Sequence, residues 1–301
     1  MKKQTTNLFN RQKVLLALLQ AFGGRVSNID FQKYLFLYTT LCQKEKSYEF
    51  VPFKYGCFSF QSYADRRRLT ELGLLEVADI WTLAENSSFL ASLKTEDRNK
   101  MELFWQKYSS LEGSDLIREV YKKYPYYAVR SEIAADLMTP SEIAIIEAAV
   151  PNDNSRCFYT IGYEGKSFEN YLNRLIKNNV AALVDVRKNP LSRKYGFSKK
   201  TLAETLNKLG IEYLHISELG IVSEKRQALK TQHDYDMLFN EYERTVLKEN
   251  IAAIKQLYNV LIQHKRVAIT CFEADVCMCH RGRVAKALQA LPEWECETRH
   301  I

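Results

Sequence analysis

The sequence has no long apolar run, no even set of cysteines and no strong excess of charge of one sign. It is 46% hydrophobic over 301 residues, yet no segment approaches the roughly 18 uninterrupted apolar residues of a membrane helix. The first apolar stretch is short and bordered by charge, which argues against an export signal. Seven cysteines fit free thiols better than a disulfide framework. We therefore expect a globular cytoplasmic protein without a membrane segment.

The length is typical of two domains, and the sequence suggests where they meet. Residues 150–156 read "VPNDNSR", a cluster of turn-forming residues between a helical pattern and a β-like run. This predicts one domain over residues 1–150 and a second over residues 151–301. The net charge of +7 permits a nucleic-acid or phosphorylated partner without requiring one.

The first domain has the pattern of a mainly helical, winged helix-turn-helix-like domain. Two amphipathic helices precede a turn in "KYGCFS" and a third helix, and "LLEV" and "IWTL" then suggest a small hairpin. The third helix carries Arg66, Arg67 and Arg68, which we assign to nucleic-acid binding, although a solvated helix face explains them equally well. The segment loosely resembles an antitoxin-like winged-helix family that has "YGPFS" at this turn, with Cys57 here replacing the proline.

The second domain alternates short apolar runs with longer helical patterns. The predicted strands are "CFYTIG", "AALVDVR", "IEYLHI" and "RVAITCFE", each separated from the next by at least one helix. This order predicts βαβ units and a mostly parallel sheet, and hence an α/β fold. Ligands of such sheets bind at the carboxyl ends of the strands.

All four predicted strands end in ionisable side chains, so we expect a functional site at that edge. We assign catalytic roles to Glu164, Asp185 and Glu273. The expected anion- or substrate-binding residues are Tyr163, Arg187, Arg193, His215, Cys279, His280, Arg281 and Arg283. Purely structural roles are the alternative: a helix cap for Glu164, an ion pair for Asp185 with Arg187, and a core position for His215.

The segment "CFEADVCMCHRGRVAKAL" admits three interpretations. Cys277, Cys279 and His280 could bind zinc, but they are crowded for a structural zinc motif. Cys277 and Arg283 have the C-x5-R spacing of cysteine phosphatases, whose loop is richer in glycine than this one. The preferred interpretation is an anion-binding loop, because "CHRGR" places amides and arginines before a helix. We therefore predict neither a metal nor another cofactor.

Several motifs of the second half occur together in a known family. They are "TIG" with its turn, "LVDVR" with "PLSR", the "FSKKTL" helix, "GIEYLHISELG" and the late "CFE" and "CHR" elements. In this order they resemble the domain of unknown function 488 family. The resemblance implies a three-layer α/β domain with a polar pocket built from Asp185, Arg187, Arg193, Glu273, Cys279, His280 and Arg281. It implies little about chemistry.

Acids beside arginines suit an enzyme that hydrolyses or transfers a glycosidic or phosphoester bond in a nucleotide or nucleic acid. The expected partner is nucleic acid, DNA more than RNA, or a phosphorylated small molecule, and a bacterial or phage-defence setting would suit the two domains. The alternative is a ligand-sensing, nucleic-acid-binding regulator without catalysis. A protein-interaction module with a relict pocket is the third hypothesis.

Overall fold

The structure is a computed structural model that describes residues 8–84, 88–222, 229 and 231–301. It divides the chain into two units, Met1–Val150 and Pro151–Ile301. None of the helices within the described ranges combines the length and the apolar character needed to cross a membrane.

The first unit is mainly helical. Its α-helices are α1 (Asn10–Ala21), α2 (Asn28–Cys42), α3 (Phe60–Glu71), α4 (Thr95–Tyr108), α5 (Gly113–Lys123), α6 (Ala134–Leu137) and α7 (Pro140–Ala148). Its short strands are β1 (Arg25–Val26), β2 (Val51–Phe53), β3 (Gly56–Phe58) and β4 (Trp81–Thr82), and 3₁₀ turns lie at Leu90–Ser92 and Pro125–Ala128. Ser27 caps α2 by accepting a hydrogen bond of 3.1 Å from the Asp30 amide.

Strand pairing in this unit differs from the expected order. The antiparallel hairpin β2–β3 lies between α2 and α3, where a helix-turn-helix has a short turn. The expected pairing of "LLEV" with "IWTL" is present as the antiparallel bridge from Leu75 to Leu83. It is flanked by backbone hydrogen bonds from Glu76 to Thr82 at 2.9 Å and from Ala84 to Leu74 at 3.2 Å, and β4 also pairs with β1. Gly56, at φ +93°, begins β3 directly after the two-residue turn at 54–55, a position that suits glycine because glycine readily adopts positive φ.

The second unit is an α/β domain. Its strands are β5 (Cys157–Gly162), β6 (Ala182–Asp185), β7 (Glu212–His215), β8 (Arg266–Cys271) and β9 (Glu297–His300). Its helices are α8 (Phe168–Lys177), α9 (Lys199–Lys208), α10 (Gln232–Tyr242), α11 (Ile251–His264) and α12 (His280–Gln289), with a 3₁₀ turn at Ser217–Leu219 and a π-helical turn at Glu243–Leu247.

The five strands form one parallel sheet in the order β7-β6-β8-β5-β9. The four apolar strands of the sequence are all present, and β9 is an additional edge strand that the sequence analysis missed. Every residue of β5 and β8 is buried, which is why both read as continuous apolar runs. The α/β class with a mostly parallel sheet, preceded by a mainly helical region, is confirmed.

Helices cover both faces of this sheet. Val267 and Ile269 of β8 face a core that includes Ile254 of α11 and Val284 of α12. Thr270, whose side chain points to the opposite face of the strand, accepts a hydrogen bond of 2.9 Å from the hydroxyl group of Tyr171 on α8. The domain therefore has three layers, with its ionisable residues at the carboxyl edge of the middle layer.

Candidate functional site

The carboxyl ends of four strands lie at the same edge of the sheet. Gly162 at the end of β5 pairs with Cys271 at the end of β8, and Asp185 at the end of β6 pairs with both Thr270 and His215. This register brings together the turns and loops that follow β5, β6, β7 and β8. The predicted site residues of the second half lie on or next to these segments, with Arg283 further along in α12.

Asp185 and Arg187 form a buried ion pair at the centre of this edge. Arg187 Nη2 lies 2.6 Å from Asp185 Oδ2 and its Nε lies 2.9 Å from Oδ1. The Asp185 carboxylate also accepts hydrogen bonds from the Arg187 amide at 3.1 Å and from the Tyr213 hydroxyl at 2.7 Å. Asp185 is fully buried, and both of its oxygens are engaged. This arrangement favours the structural alternative over a nucleophile or base, because no oxygen of Asp185 is open to a substrate.

Two aromatic residues hold Arg187 in place. Its Nη1 donates to the hydroxyl oxygen of Tyr163 at 3.0 Å and to the carbonyl oxygen of Phe197 at 2.9 Å. The Tyr163 ring stacks on the Phe197 ring with a centroid distance of 4.3 Å and an interplanar angle of 9°. Burial, followed by the neighbouring Asp185 carboxylate, raises the pKa of Tyr213 and keeps this hydroxyl neutral as a donor.

Four potential metal ligands meet where β8 ends and α12 begins. One side-chain donor atom from each of Cys271, Glu273, Cys279 and His280 lies within 4.8 Å of the others. Cys271 Sγ is 3.6 Å from His280 Nδ1 and 3.2 Å from Glu273 Oε2. The two cysteines and the histidine are buried. Burial, followed by the nearby Cys271 thiol, raises the pKa of the Cys279 thiol well above its usual value.

This cluster differs from the one considered in the sequence. Cys277 is exposed and is not one of the four ligands. The cluster therefore contains Cys271 in place of Cys277, beside Cys279 and His280. The sequence analysis did not select Cys271 as a site residue. The available signal was the pair C-x-E at the end of a predicted strand, followed at short range by C-H before a helix.

The two arginines of the expected anion-binding loop are directed at protein acceptors. Arg281 is buried and donates to the carbonyl oxygens of Glu273 and, at 2.8 Å, of Ala274. Arg283 forms an ion pair of 3.0 Å with Glu243. Both guanidinium groups therefore stabilise the fold around the loop, which weakens the interpretation of "CHRGR" as an anion cradle.

The side chains of Glu164 and His215 also bind other groups of the protein. Glu164 is exposed, and its Oε2 accepts a hydrogen bond of 2.9 Å from the Ala274 amide, which joins the turn after β5 to the loop after β8. His215 Nε2 lies 2.9 Å from the carbonyl oxygen of Arg187, and its Nδ1 lies 3.1 Å from Lys199 Nζ. His215 thus supports the segment that carries Arg187.

A cleft of about 330 Å³ opens at this edge. Its lining residues are Tyr163, Arg187, Lys188, Asn189, Leu191, Ser192, Arg193, Ile221, Cys271, Phe272 and His280. Three of them are cationic, and none is acidic. Lys188, which the sequence analysis did not select, and Arg193 are exposed, and neither makes an ion pair with any residue in the described ranges.

In the helical unit, the three arginines of α3 have different environments. Arg66 donates to Asn28 Oδ1 at 3.0 Å and to the carbonyl oxygens of Ala78 and Ile80 at 2.8 and 2.7 Å, and its guanidinium lies over the Trp81 ring. These bonds hold the 78–80 segment and leave Arg66 little freedom to contact nucleic acid. Arg67 and Arg68 are exposed, and Arg68 pairs with Glu71 at 3.1 Å.

The second unit is thus a three-layer α/β domain with a cationic cleft and a thiol–imidazole cluster at the carboxyl edge of its sheet. A family model matches this part of the chain: residues 167–288 are similar to the family described as domain of unknown function DUF488. The match begins at the N-cap of α8 and ends within α12, so it contains most of the cleft and all four residues of the cluster. Comparisons with curated proteins and with solved structures found no match.

Proposed function

We propose that the cleft at the sheet edge binds a phosphate-bearing nucleotide or nucleic acid, and that the protein hydrolyses or transfers a glycosidic or phosphoester bond in it. The cationic lining of the cleft carries this proposal. Lys188 and Arg193 face solvent without an acidic partner in the described ranges, and the charge of Arg187 is balanced by Asp185. Two uncompensated cations in a concave site favour an anionic ligand.

The cleft also offers apolar surface beside the cations. Phe272 is 43% exposed and Leu191 is 84% exposed, and both line the cleft. An exposed aromatic ring next to positive charge suits a ligand that has both a base and a phosphate, because bases stack on aromatic side chains while cations hold the backbone. This combination supports a nucleotide unit over inorganic phosphate alone.

Two carboxylates remain for the chemical step once Asp185 is assigned to the ion pair. Glu164 and Glu273 lie on adjoining segments, since Glu164 binds the amide that directly follows Glu273. A carboxylate can act as a nucleophile or general base at a sugar or phosphorus centre. We assign Glu164, the more exposed of the two, as the first candidate for this role.

The helical unit would bring the protein to nucleic acid, with DNA as the expected partner. Of its predicted contacts, Arg67 is the best supported because it is exposed and makes no ion pair with a described residue. A role in phage defence rests only on the combination of the two units.

The test uses the full-length protein with end-labelled single- and double-stranded DNA and RNA, with and without divalent metal ions. Denaturing gels are run before and after hot alkali. Breaks that need alkali indicate abasic sites and a glycosidic reaction, whereas direct breaks indicate phosphodiester cleavage. Glu164→Gln should abolish either activity. Absence of both cleavage and binding with every nucleic acid and nucleotide tested would contradict the proposal.

The cleft is tested separately by binding. Lys188→Ala and Arg193→Ala should each reduce the slope of log K against log salt concentration by about 0.7 to 0.9, the value for one phosphate contact. Lys208→Ala is the matched control, because Lys208 is exposed on α9 and does not line the cleft. Equal slopes for all three variants would place the ligand elsewhere.

A ligand-sensing regulator without catalysis is the second candidate. It is favoured by the complete engagement of Asp185, which leaves one expected catalytic acid without an oxygen for a substrate, and by a cleft lining without an acidic residue. If Glu164→Gln and Glu273→Gln change only ligand affinity, and no cleavage is detected beside a salt-sensitive mobility shift, the regulator becomes the better description.

A further inference from the structure

We propose that Cys271, Glu273, Cys279 and His280 bind one zinc ion in a closed tetrahedral site. The inference rests on the four side chains and not on ligand binding at the cleft. It makes Glu273 a metal ligand, which leaves Glu164 as the carboxylate for the chemical step proposed above.

The distances within the cluster are near those of a tetrahedron around zinc. Bonds of about 2.3 Å to sulfur and about 2.0 to 2.2 Å to nitrogen or oxygen place neighbouring ligand atoms about 3.3 to 3.8 Å apart. Cys271 Sγ is 3.6 Å from His280 Nδ1 and 3.2 Å from Glu273 Oε2. All four donor atoms lie within 4.8 Å of one another, so small side-chain rotations suffice to bring them to a common centre.

The histidine is oriented as a metal ligand. His280 Nε2 lies 3.0 Å from the carbonyl oxygen of Val186, which can accept only if Nε2 carries the proton. Nδ1 then has its lone pair directed at the cluster, next to Cys271. A second ring nitrogen donating to a backbone carbonyl is the usual support for a zinc-bound histidine, and here both the carbonyl and the ring are buried.

Three of the four ligands are positioned by regular structure before any metal binds, and Glu273 lies in the loop between them. Cys271 is the last residue of β8, Cys279 is the N-cap of α12, and His280 is the first residue of that helix. Their spacing in the sequence resembles no common zinc motif. The 272–278 loop nevertheless brings Cys279 and His280 back next to Cys271. A site built on a strand end and a helix start holds its geometry better than one built on loops.

The ligand types favour zinc over calcium and magnesium. Two thiolates with an imidazole are soft or borderline ligands, which bind zinc well and which calcium and magnesium do not favour. Glu273 supplies the fourth ligand. Its carboxylate is not needed for charge balance, because the two thiolates already balance the charge of Zn²⁺. Bound in this way, zinc would join β8 to α12 and fix the loop between them, including Phe272 at the cleft.

The first experiment measures metal in the full-length wild-type protein purified with a removable affinity tag. Elemental analysis should find one zinc per chain after dialysis. Cobalt added to the metal-free protein should give the intense visible bands of tetrahedral coordination and a thiolate-to-cobalt charge-transfer band, and zinc should remove both. Absence of bound zinc, or a weak octahedral cobalt spectrum without thiolate charge transfer, would overturn the proposal.

Matched cysteine variants locate the site. Cys279→Ser should weaken zinc binding by at least about 100-fold, since loss of an outer-shell partner alone costs about 10- to 100-fold. Cys277→Ser is the control, because Cys277 lies two residues away but is exposed and outside the cluster, and it should retain zinc. If Cys277→Ser loses zinc as Cys279→Ser does, the site is wrongly assigned.

The remaining controls address folding and oxidation. Glu273→Gln changes a less buried ligand and should shift the cobalt bands while circular dichroism stays unchanged, so the assignment can be tested even if Cys279→Ser does not fold. Mass spectrometry of the freshly isolated protein, without added reductant, should show Cys271 and Cys279 as thiols that form no disulfide. A disulfide between them in freshly isolated, zinc-free protein would identify a redox pair in place of a metal site.

Discussion

Replacing Arg187 by methionine should strongly destabilise the α/β unit. The substitution keeps much of the side-chain volume but removes the guanidinium that pairs with Asp185. The Asp185 carboxylate, fully buried, would keep only its bonds from the residue 187 amide and from Tyr213. Tyr163 and the Phe197 carbonyl would lose their donor as well.

The expected cost follows from the burial of the carboxylate. Removing one partner of a buried ion pair typically costs about 3 to 5 kcal/mol, because a charge is left without compensation. Burial alone would lower the pKa of Arg187, but the hydrogen bonds and charge of Asp185 raise it overall, so the pair is favourable in place. For a unit of this size, about 2 to 4 °C per kcal/mol gives a fall in Tm of roughly 6 to 20 °C.

Hydrogen exchange followed by mass spectrometry measures this effect in the full-length protein. Peptides from β6 and β8 should lose protection in Arg187→Met, because core strands exchange through global unfolding of their unit. Peptides from α1 and α2 serve as an internal control, since they belong to the other unit. The double variant Asp185→Asn, Arg187→Met should recover part of the loss, because it no longer buries a charge.

Two results would refute this reasoning. Unchanged protection of β6 and β8 in Arg187→Met would show that the pair contributes little to stability. A double variant less stable than Arg187→Met would show that the buried charge was not the cause.

Two further substitutions test close approach and a buried charge. In urea unfolding, Gly162→Ala should destabilise the α/β unit by about 3 kcal/mol or more, the upper end for overpacking, because its Cβ would lie 1.7 Å from the Glu273 carbonyl oxygen. Gly165→Ala, with open space but φ +71°, should cost about 1 to 2 kcal/mol. Equal losses would contradict the clash. Lys33 is buried and donates to the Tyr55 carbonyl, and burial lowers its pKa. Between that lowered pKa and the unfolded value of about 10.4, the unfolded chain binds more protons than the folded one. The free energy of unfolding of the wild type should therefore rise with pH, relative to that of Lys33→Met, by up to about 1.4 kcal/mol per pH unit. Wild-type and Lys33→Met stabilities from urea unfolding that follow parallel curves against pH would contradict this.

Local pattern was enough to predict most of the α/β unit. The runs "CFYTIG" and "RVAITCFE" are mainly apolar because both faces of β5 and β8 are covered, and parallel strands must place their carboxyl ends at one edge. The ion pair of Asp185 with Arg187 was also an available alternative, since residues two apart on a strand share a face. Strand β9 was missed because Glu297–His300 is a polar edge strand with no apolar pattern.

Only the tertiary structure determined which polar groups face one another. The sequence placed Arg281 and Arg283 near a helix start, but it did not show that Arg281 turns back to the Glu273 carbonyl or that Arg283 reaches the Glu243 carboxylate of a distant segment. Likewise Cys271 meets Cys279 and His280, while Cys277, nearer to both in the chain, points to solvent. Apolar periodicity is read along one segment, whereas hydrogen-bond partners and metal ligands depend on how loops return, and that path is set by the packing of the whole domain.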